Sequence, residues 1–530
     1  MKEIIHSSYD VVIVGGGHNG LVSASYLSKA GLRVLVAEKN AYLGGATVSK
    51  KVFPDYEAYL SVYSYLISLF PQKIIQDLQL SLPLRSRSIS SFTPFTENQS
   101  HKGLLISNTS EEVTRHSIEA LAGAKEYRGY RKLLAMEQIL ADTIWDSFLQ
   151  PLQSKKYFEK QFVTAQEKAI WQSFVEEPLG KTIEAHLHHD ILCGAVFTDA
   201  KIGVFTHPYD ESLLQNRTFL YHIIGNRTGE WKVPQGGMQT LLNELTRAAT
   251  LYGATLVTNA LVNQLNTGGK QHTLSIEYAG KIYEVQAKYV LLNAAPQVLD
   301  KLTGRKQESK DEDEGAVFKI NMLLKKLPNL KNTTVSSTDA FTGTFHINEG
   351  YQQMKQSYEE AKSGKLPAIL PAEIYCHTLT DTSILSPNLV AQGYHTLTLF
   401  GLDTPYSLFA GPDEKVISHE ALKRFLAGLN EFLDEPIEAC IALDSLGNLC
   451  LEAKNPLDIS LELSMPQGNI FHNALSWFFS EHKQEEGTWG VETDIERLYI
   501  CGSGAKRGGA VSGIPGHNAA MKVLELEGRL

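Results

Sequence analysis

Residues 9–46 read YDVVIVGGGHNGLVSASYLSKAGLRVLVAEKNAYLGGA. Tyr9–Val14 is a short apolar run rich in β-branched residues, which predicts a strand buried on both faces. It runs directly into Gly15, Gly17 and Gly20, the G-x-G-x-x-G spacing, and then into a helical pattern over Leu21–Ala30. Gly31 ends that helix, Leu32–Ala37 predicts a second strand, and Glu38 stands at its end, eighteen residues after Gly20. Each part has a physical task. Gly15 permits the tight turn, Gly17 lets backbone approach a pyrophosphate, and Gly20 allows close helix packing. The helix N-terminus offers unpaired N–H groups and partial positive charge to phosphates. The glycine spacing alone is weak evidence, since a glycine-rich turn explains it equally well. Strand, glycines, helix, second strand and acid in this order predict a dinucleotide site, and an acid at position 38 disfavours a 2′-phosphate. The motif does not separate NAD from FAD. Gly44-Gly45, six and seven residues after Glu38, favours FAD, because a close-packed loop there suits flavoproteins. His18, Asn19, Lys39 and Ala46 complete the expected contact set of this segment.

A chain of 530 residues is too long for one simple core, so two or three domains are expected. With 49 basic and 59 acidic residues the formal charge is −10, which argues against a nucleic-acid partner. The five cysteines include no C-x-x-C pair, which removes the dithiol redox motif and any cysteine-rich zinc site and fits a reducing compartment. No histidine spacing supports a metal. The segment MKEIIHSSYD is too short and polar for a signal peptide, and no apolar run reaches membrane-spanning length. The expected location is cytoplasmic, or the mitochondrial matrix in a eukaryote, and the expected state is a monomer or homodimer.

Along the chain, Tyr59–Phe70 is strongly apolar and predicts a buried helix lining a pocket, with a membrane-dipping helix as the alternative. Gln72–Leu80 predicts an amphipathic helix, residues 81–110 a polar loop, and residues 111–190 a helical insertion. The nucleotide fold resumes near WKVPQGG (231–237) with a helix at Met238–Tyr252 and strands at 254–257 and 260–265. A hairpin at 274–278 and 281–287 follows, then a buried strand at Tyr289–Asn293. That strand ends where open α/β sheets place their ligands, which makes Asn293 a cofactor contact. Residues 307–315 predict a solvated acidic loop. From Ala316 to about Asn455 an antiparallel sheet with flanking helices is expected. Leu498–Cys501 predicts a final strand, followed by a glycine-rich loop and a helix from about His517 to Glu527.

The stretches VIVGGGHNGLVSASYL, EKNAYLGGA, SYLISLFPQKIIQDLQL, SFTPF, WKVPQGGM, YVLLNAAP, GNIFHNALSW and LYICGSGAKRGGAVSGIPGHNAA together resemble the phytoene desaturase-like branch of the FAD-dependent amine oxidase and carotenoid desaturase superfamily. Within it, they resemble the group of pyridine nucleotide-disulfide oxidoreductase domain-containing protein 2 and its bacterial relatives. The resemblance implies an α/β fold: a Rossmann-type FAD domain assembled from residues 1–80, 228–300 and 490–530. An α+β substrate domain would come from 81–227 and 301–489, with its helical part at about 111–190. It carries over Gly15, Gly17 and Gly20 as the pyrophosphate loop, Glu38 as the ribose acid, and Gly44-Gly45 as the loop beside the flavin. Val262 would approach the adenine, and Gly502-Ser503 would run past the ribityl chain and pyrophosphate. Gly509, Ala510 and Val511 would lie by the isoalloxazine. Where such proteins usually carry His-Pro-Gly-Gly-Gly, this sequence has Lys506-Arg507-Gly508-Gly509-Ala510. Cations there would stabilise an anionic reduced flavin if they face it, or simply meet solvent. His472 is a further candidate beside flavin or substrate, against the plain reading of a core histidine.

Flavin chemistry needs little from side chains, so the absence of a catalytic triad is no objection. The expected activity is FAD-dependent hydride transfer at flavin N5 with an apolar or partly apolar small molecule. The alternatives are an FAD-binding regulatory protein with little turnover and an amine oxidase. No nucleic-acid partner is expected, and contact with a membrane surface is open.

Overall fold

Ser8–Val14 forms the centre of a parallel sheet, with Val34–Ala37 on one side and Lys281–Leu292 on the other. Val11, Val12 and Ile13 have no exposed surface, as a strand covered on both faces requires. In the computed structural model, which describes residues 5–306 and 314–530, the sheet extends to Thr255–Val257 beyond the second strand. Leu498–Ile500 joins the far edge beside Val290–Leu292. Of the acidic loop expected at 307–315, residues 307–313 lie outside the described residues.

The hairpin and the buried strand expected at 281–287 and 289–293 are one continuous element. The first half of Lys281–Leu292 pairs antiparallel with His272–Tyr278, and the second half pairs parallel with Ser8–Val14. One twelve-residue strand thus couples an antiparallel meander (with Ala260–Asn266) to the parallel nucleotide sheet. The final helix, Ile514–Leu526, packs on the first helix, His18–Lys29, at backbone distance. Ser23 Oγ donates to the Gly516 carbonyl at 2.7 Å, and a Cβ at Gly516 would lie 2.1 Å from the Asn19 carbonyl oxygen. Only glycine lets the end of the chain close on its beginning there.

A second seven-stranded sheet follows the order Leu451–Lys454, Phe318–Leu324, His395–Gly401, Ala372–Tyr375, Thr344–Ile347, Ile89–Glu97, Ser100–Ser107. It is antiparallel except for one parallel pairing, Thr344 with Ser91 and Phe345 with Phe92. The polar loop expected at 81–110 is therefore corrected: it contains a hairpin of this sheet. Its turn, Asn98-Gln99, has positive φ at both residues, the conformation a two-residue hairpin demands. Helices fill 111–190, opened by Ser110, whose side chain caps the Val113 N–H, and continue past that expected bound through Asp190–Phe197 and Leu214–Ile223.

The helix expected at Tyr59–Phe70 does not form. Only Leu60–Ser61 is regular, paired with Ser49–Lys50, and Ile67 exchanges backbone hydrogen bonds with Lys232. The apolar residues go to separate cores: Leu60 packs with the second sheet and Leu66 beside Tyr375 and Phe400. Leu69 joins the helical insertion, and Ile67 and Phe70 the nucleotide sheet. A helix has one buried stripe and could not serve four.

Candidate active site

The glycine loop is folded against the end of the strand Lys281–Leu292. Gly15 has φ +101°, and a Cβ there would meet the Asn293 carbonyl oxygen at 2.7 Å. A Cβ on Gly20 would lie 2.6 Å from the Gly15 carbonyl oxygen and 2.7 Å from Asn293 Nδ2. Gly17 is next to the same amide, 3.0 Å from a built Cβ. Asn293 holds this arrangement by donating from Nδ2 to the Gly15 carbonyl at 3.0 Å. Gly44, at φ +116°, bridges to Gly17 and donates to the Gly16 carbonyl at 2.8 Å. The two glycine loops form one cradle.

Glu38 is 5 % exposed and accepts from the Gly16 N–H at 2.7 Å and the Asn40 N–H at 2.8 Å, leaving lone pairs on both oxygens. The Ala260 N–H donates to the Glu38 carbonyl, so the strand carrying Val262 starts beside this acid. Its pairing skips between Val262 and Gln264, a bulge that frees backbone at that point. The helix His18–Lys29 has no side-chain cap, and His18 Nε2 and Asn19 Oδ1 are buried without partners. An uncapped helix N-terminus, glycines that admit no Cβ, and a buried ribose-type acid fit FAD. Lys39 turns away to Ser464 Oγ at 2.5 Å.

Gly502-Ser503 lies against Asn293–Ala294, with the Gly502 N–H donating to the Leu292 carbonyl. Ser503, Ala510 and Val511 join His18 and Ala46 on the wall of an internal cavity of about 550 Å³. Gly509, at φ +103°, supports this loop against Leu475 and Phe471. Burial lowers His18 to about 4, helped by neighbouring His472, with the Ala510 backbone pulling the other way; burial also lowers His472 to about 4. Both imidazoles are neutral at pH 7. His472 Nδ1 is buried without a partner, at a residue with φ +71°.

The structure places the two cations of the departing motif elsewhere. Arg507 is fully buried and donates to the carbonyls of Ser147 (2.6 Å), Gln150 (2.7 Å) and Trp489 (3.0 Å). Lys506 pairs with Glu481 at 2.6 Å and Glu485 at 3.0 Å. Neither lines the cavity, so the expectation that they act on the flavin or substrate is corrected to a structural role. Arg507 ties the glycine loop to the helical insertion.

The rest of the wall includes the pocket-lining segment expected at Tyr59–Phe70, without its helix, and charged residues that no sequence motif marks. Tyr63, Tyr65, Leu66 and Leu69 come from the irregular segment; Tyr130, Glu137, Asp199 and Tyr221 come from the insertion. Arg87, Lys319, Thr344, His346, Glu373 and Tyr375 come from the second sheet. Burial drives the Lys319 ammonium well below its usual range; it donates to the Tyr63 carbonyl and lies 4.4 Å from the Tyr65 ring centre. The Tyr375 hydroxyl donates to Glu373, and Arg87 Nη1 to Thr344 Oγ1 at 3.1 Å. Burial opposes charge on His346, but the Glu349 carboxylate bonded to it carries its pKa up to about 9. His346, Glu349 and Glu373 bring three metal-type ligand atoms within 4.8 Å of one another, although no metal was expected from the sequence. His346 Nδ1 and Glu349 Oε2 are already hydrogen-bonded to each other. Lys319 and Asn321, the polar residues of the buried strand FKINMLL, were a legible signal. Glu137, in an ordinary amphipathic helix, carried none.

A family model described as NAD(P)-binding Rossmann-like domain matches residues 13–73. The uncharacterised protein Rv0897c of Mycobacterium tuberculosis is 42% identical over 523 residues, 97% of each chain. Mouse pyridine nucleotide-disulfide oxidoreductase domain-containing protein 2 is 29% identical over 562 aligned residues, 97% of this chain and 93% of its own. Among solved structures, wild-type putrescine oxidase bound to putrescine superposes with a TM-score of 0.57 at 16% identity, covering 98% of this chain and 99% of its own. Cyclohexylamine oxidase from Brevibacterium oxydans gives 0.56 at 13%, covering 98% and 100%. All five cysteines are free and buried. No helix of the described residues is long and apolar enough to cross a membrane. The chain belongs to the family of Rv0897c, is similar to pyridine nucleotide-disulfide oxidoreductase domain-containing protein 2, and shares the fold of putrescine oxidase and cyclohexylamine oxidase.

Proposed function

We propose that the protein is an FAD-dependent oxidoreductase that dehydrogenates, or in reverse saturates, a small molecule held in the cavity. One observation carries the reading: the dinucleotide cradle opens through His18, Ala46, Ser503, Ala510 and Val511 into a cavity lined by the second sheet and the helical insertion. Bound FAD supplies two-electron chemistry at flavin N5. The chain supplies the rest. The N-terminus of His18–Lys29 would hold the phosphates and Glu38 the ribose, and the largely apolar walls would limit water at the reacting centre. Neutral His18 leaves the cavity's cradle end without an imidazolium, and His472, expected beside flavin or substrate, stands behind the wall formed by Ile470 and Phe471.

The main support for the alternative of a regulatory protein with little turnover is the departure at Lys506-Arg507, and Arg507, bonded to the carbonyls of Ser147 and Trp489 away from the cavity, weakens it. An amine oxidase is favoured by the carboxyl groups on the cavity wall, and peroxide formed from amines in air distinguishes it. The test is the flavin itself. Purified protein should be yellow, or become so with FAD, and bleach under anaerobic reduction. Protein that is colourless and stays so with added FAD overturns the proposal.

A further inference from the structure

We infer that Glu137 and Asp199 form a cation-recognition subsite on the helical wall of the cavity, which takes an ammonium-bearing arm of the substrate. The inference narrows the substrate class of the proposed function and rests on that reading only for the word substrate. Glu137 projects from the helix Ala124–Ile144, and Asp199 from the turn Thr198–Ala200; both line the cavity. Neither accepts a hydrogen bond from, or forms an ion pair with, any described residue. Isolated carboxyl groups in an enclosed site are costly unless something pairs with them.

The other charged groups on the wall are engaged. Glu349 holds His346, Glu373 accepts from Tyr375, Arg87 is bonded to Thr344 in the field of Glu373, and Lys319 is given to the Tyr63 carbonyl. Two carboxyls are left without a bonded partner: His222 and His346 act on Asp199 only through space, His346 being bonded to Glu349, and the one charged group acting on Glu137 is Asp199 itself. A second, independent observation lies beside them. Thr198 Oγ1, on a residue 1 % exposed and lining the same cavity, has no partner. Two carboxyls and a hydroxyl oxygen are an acceptor set, and an ammonium group carries three donors and no acceptor.

Burial pushes Glu137 up to about 8, with Asp199 adding to the rise, and burial raises Asp199 as well. Tyr130 also faces this pair, and His222, His346 and Glu349 act on Asp199 from the neighbouring elements. Without a ligand Glu137 holds its proton near neutral pH, and an entering cation displaces it. Cation binding should then release protons and tighten as pH rises towards 9.

The test is calorimetry on the purified holoprotein with hexylamine, 1-hexanol and hexanoate at pH 7 and 9, in buffers of different ionisation enthalpy. Hexylamine should bind about tenfold or more tightly than 1-hexanol, with proton release and higher affinity at pH 9. E137Q and D199N should each lose about tenfold for hexylamine and leave 1-hexanol unchanged. Both variants should fold, because each removes an unpaired, half-buried carboxyl; the buffer dependence in the unaltered protein needs no variant at all. Equal affinity for hexylamine and 1-hexanol, tighter hexanoate, or indifference to both substitutions overturns the subsite. So does Mn²⁺ that binds stoichiometrically and excludes hexylamine. The heat of binding is read whether or not the flavin turns over, so failed flavin reduction bears on the proposed function alone.

Discussion

Gly16 donates its backbone N–H to Oε2 of Glu38 at 2.7 Å, so the acid at the end of the second strand also holds the phosphate loop in shape. Glu38→Ala removes a ribose acceptor and the loop's anchor together. Charge-assisted hydrogen bonds of this kind are each worth about 1.5–3 kcal/mol. FAD affinity should fall roughly 10- to 100-fold, read by quenching of flavin fluorescence on titration into apoprotein. Unchanged affinity would show that the ribose lies elsewhere.

Gly20 tests the packing of the cradle. A methyl group at this position would press on the Gly15 carbonyl oxygen at 2.6 Å and on Asn293 Nδ2 at 2.7 Å. Gly20→Ala should cost about 1–3 kcal/mol of stability and reduce the flavin retained after desalting. Gly411→Ala, where a Cβ meets nothing within 4 Å, is the control and should change neither.

Arg507 and Lys506 should separate by stability and not by flavin chemistry. Arg507→Met leaves the carbonyls of Ser147, Gln150 and Trp489 without their buried donor, at a cost of about 3–5 kcal/mol in urea unfolding. Arg507→Lys should recover only part, since an ammonium cannot reproduce the guanidinium fork. Lys506→Ala breaks a partly exposed pair with Glu481 and Glu485 and should cost under about 1 kcal/mol. Flavin potential, measured on folded protein, should be the same in all three. A shift in potential would return these cations to the flavin.

The nucleotide half of the fold was legible because its local signals agree: β-branched runs, spaced glycines and an acid at a strand end all name one motif. Asn293 could be placed by the same rule, as the residue at the carboxyl end of a sheet strand. The Tyr59–Phe70 segment misled because apolar density says that residues are buried, not that they are buried together; these serve four cores. The hairpin at 89–107 was hidden because its turn is Asn98-Gln99 without a glycine. The charged wall of the cavity was the least legible part. Glu137, Asp199, His346 and Glu373 are far apart in sequence, each sits in an ordinary local context, and only the meeting of the insertion with the second sheet gives them a common purpose.

His346 and Glu349 make stability depend on pH in a definite direction. The folded-state pKa of His346 is about 9, above the ordinary 6.5, because bonding to Glu349 outweighs burial. A raised histidine contributes fully below the unfolded value and loses its contribution as pH rises through the folded one. Glu137, raised to about 8, has the same sign in a lower window. Unfolding free energy should therefore decline from pH 7 upward, and above pH 8 the His346–Glu349 pair should dominate the slope. His346→Gln alone leaves Glu349 buried without its cation and should cost about 3–5 kcal/mol at pH 7. The double variant H346Q/E349Q replaces the ion pair by a neutral hydrogen bond, should recover most of that loss, and should flatten the decline between pH 8 and 10. Urea unfolding across that range decides it: a slope that survives in the double variant belongs to another group.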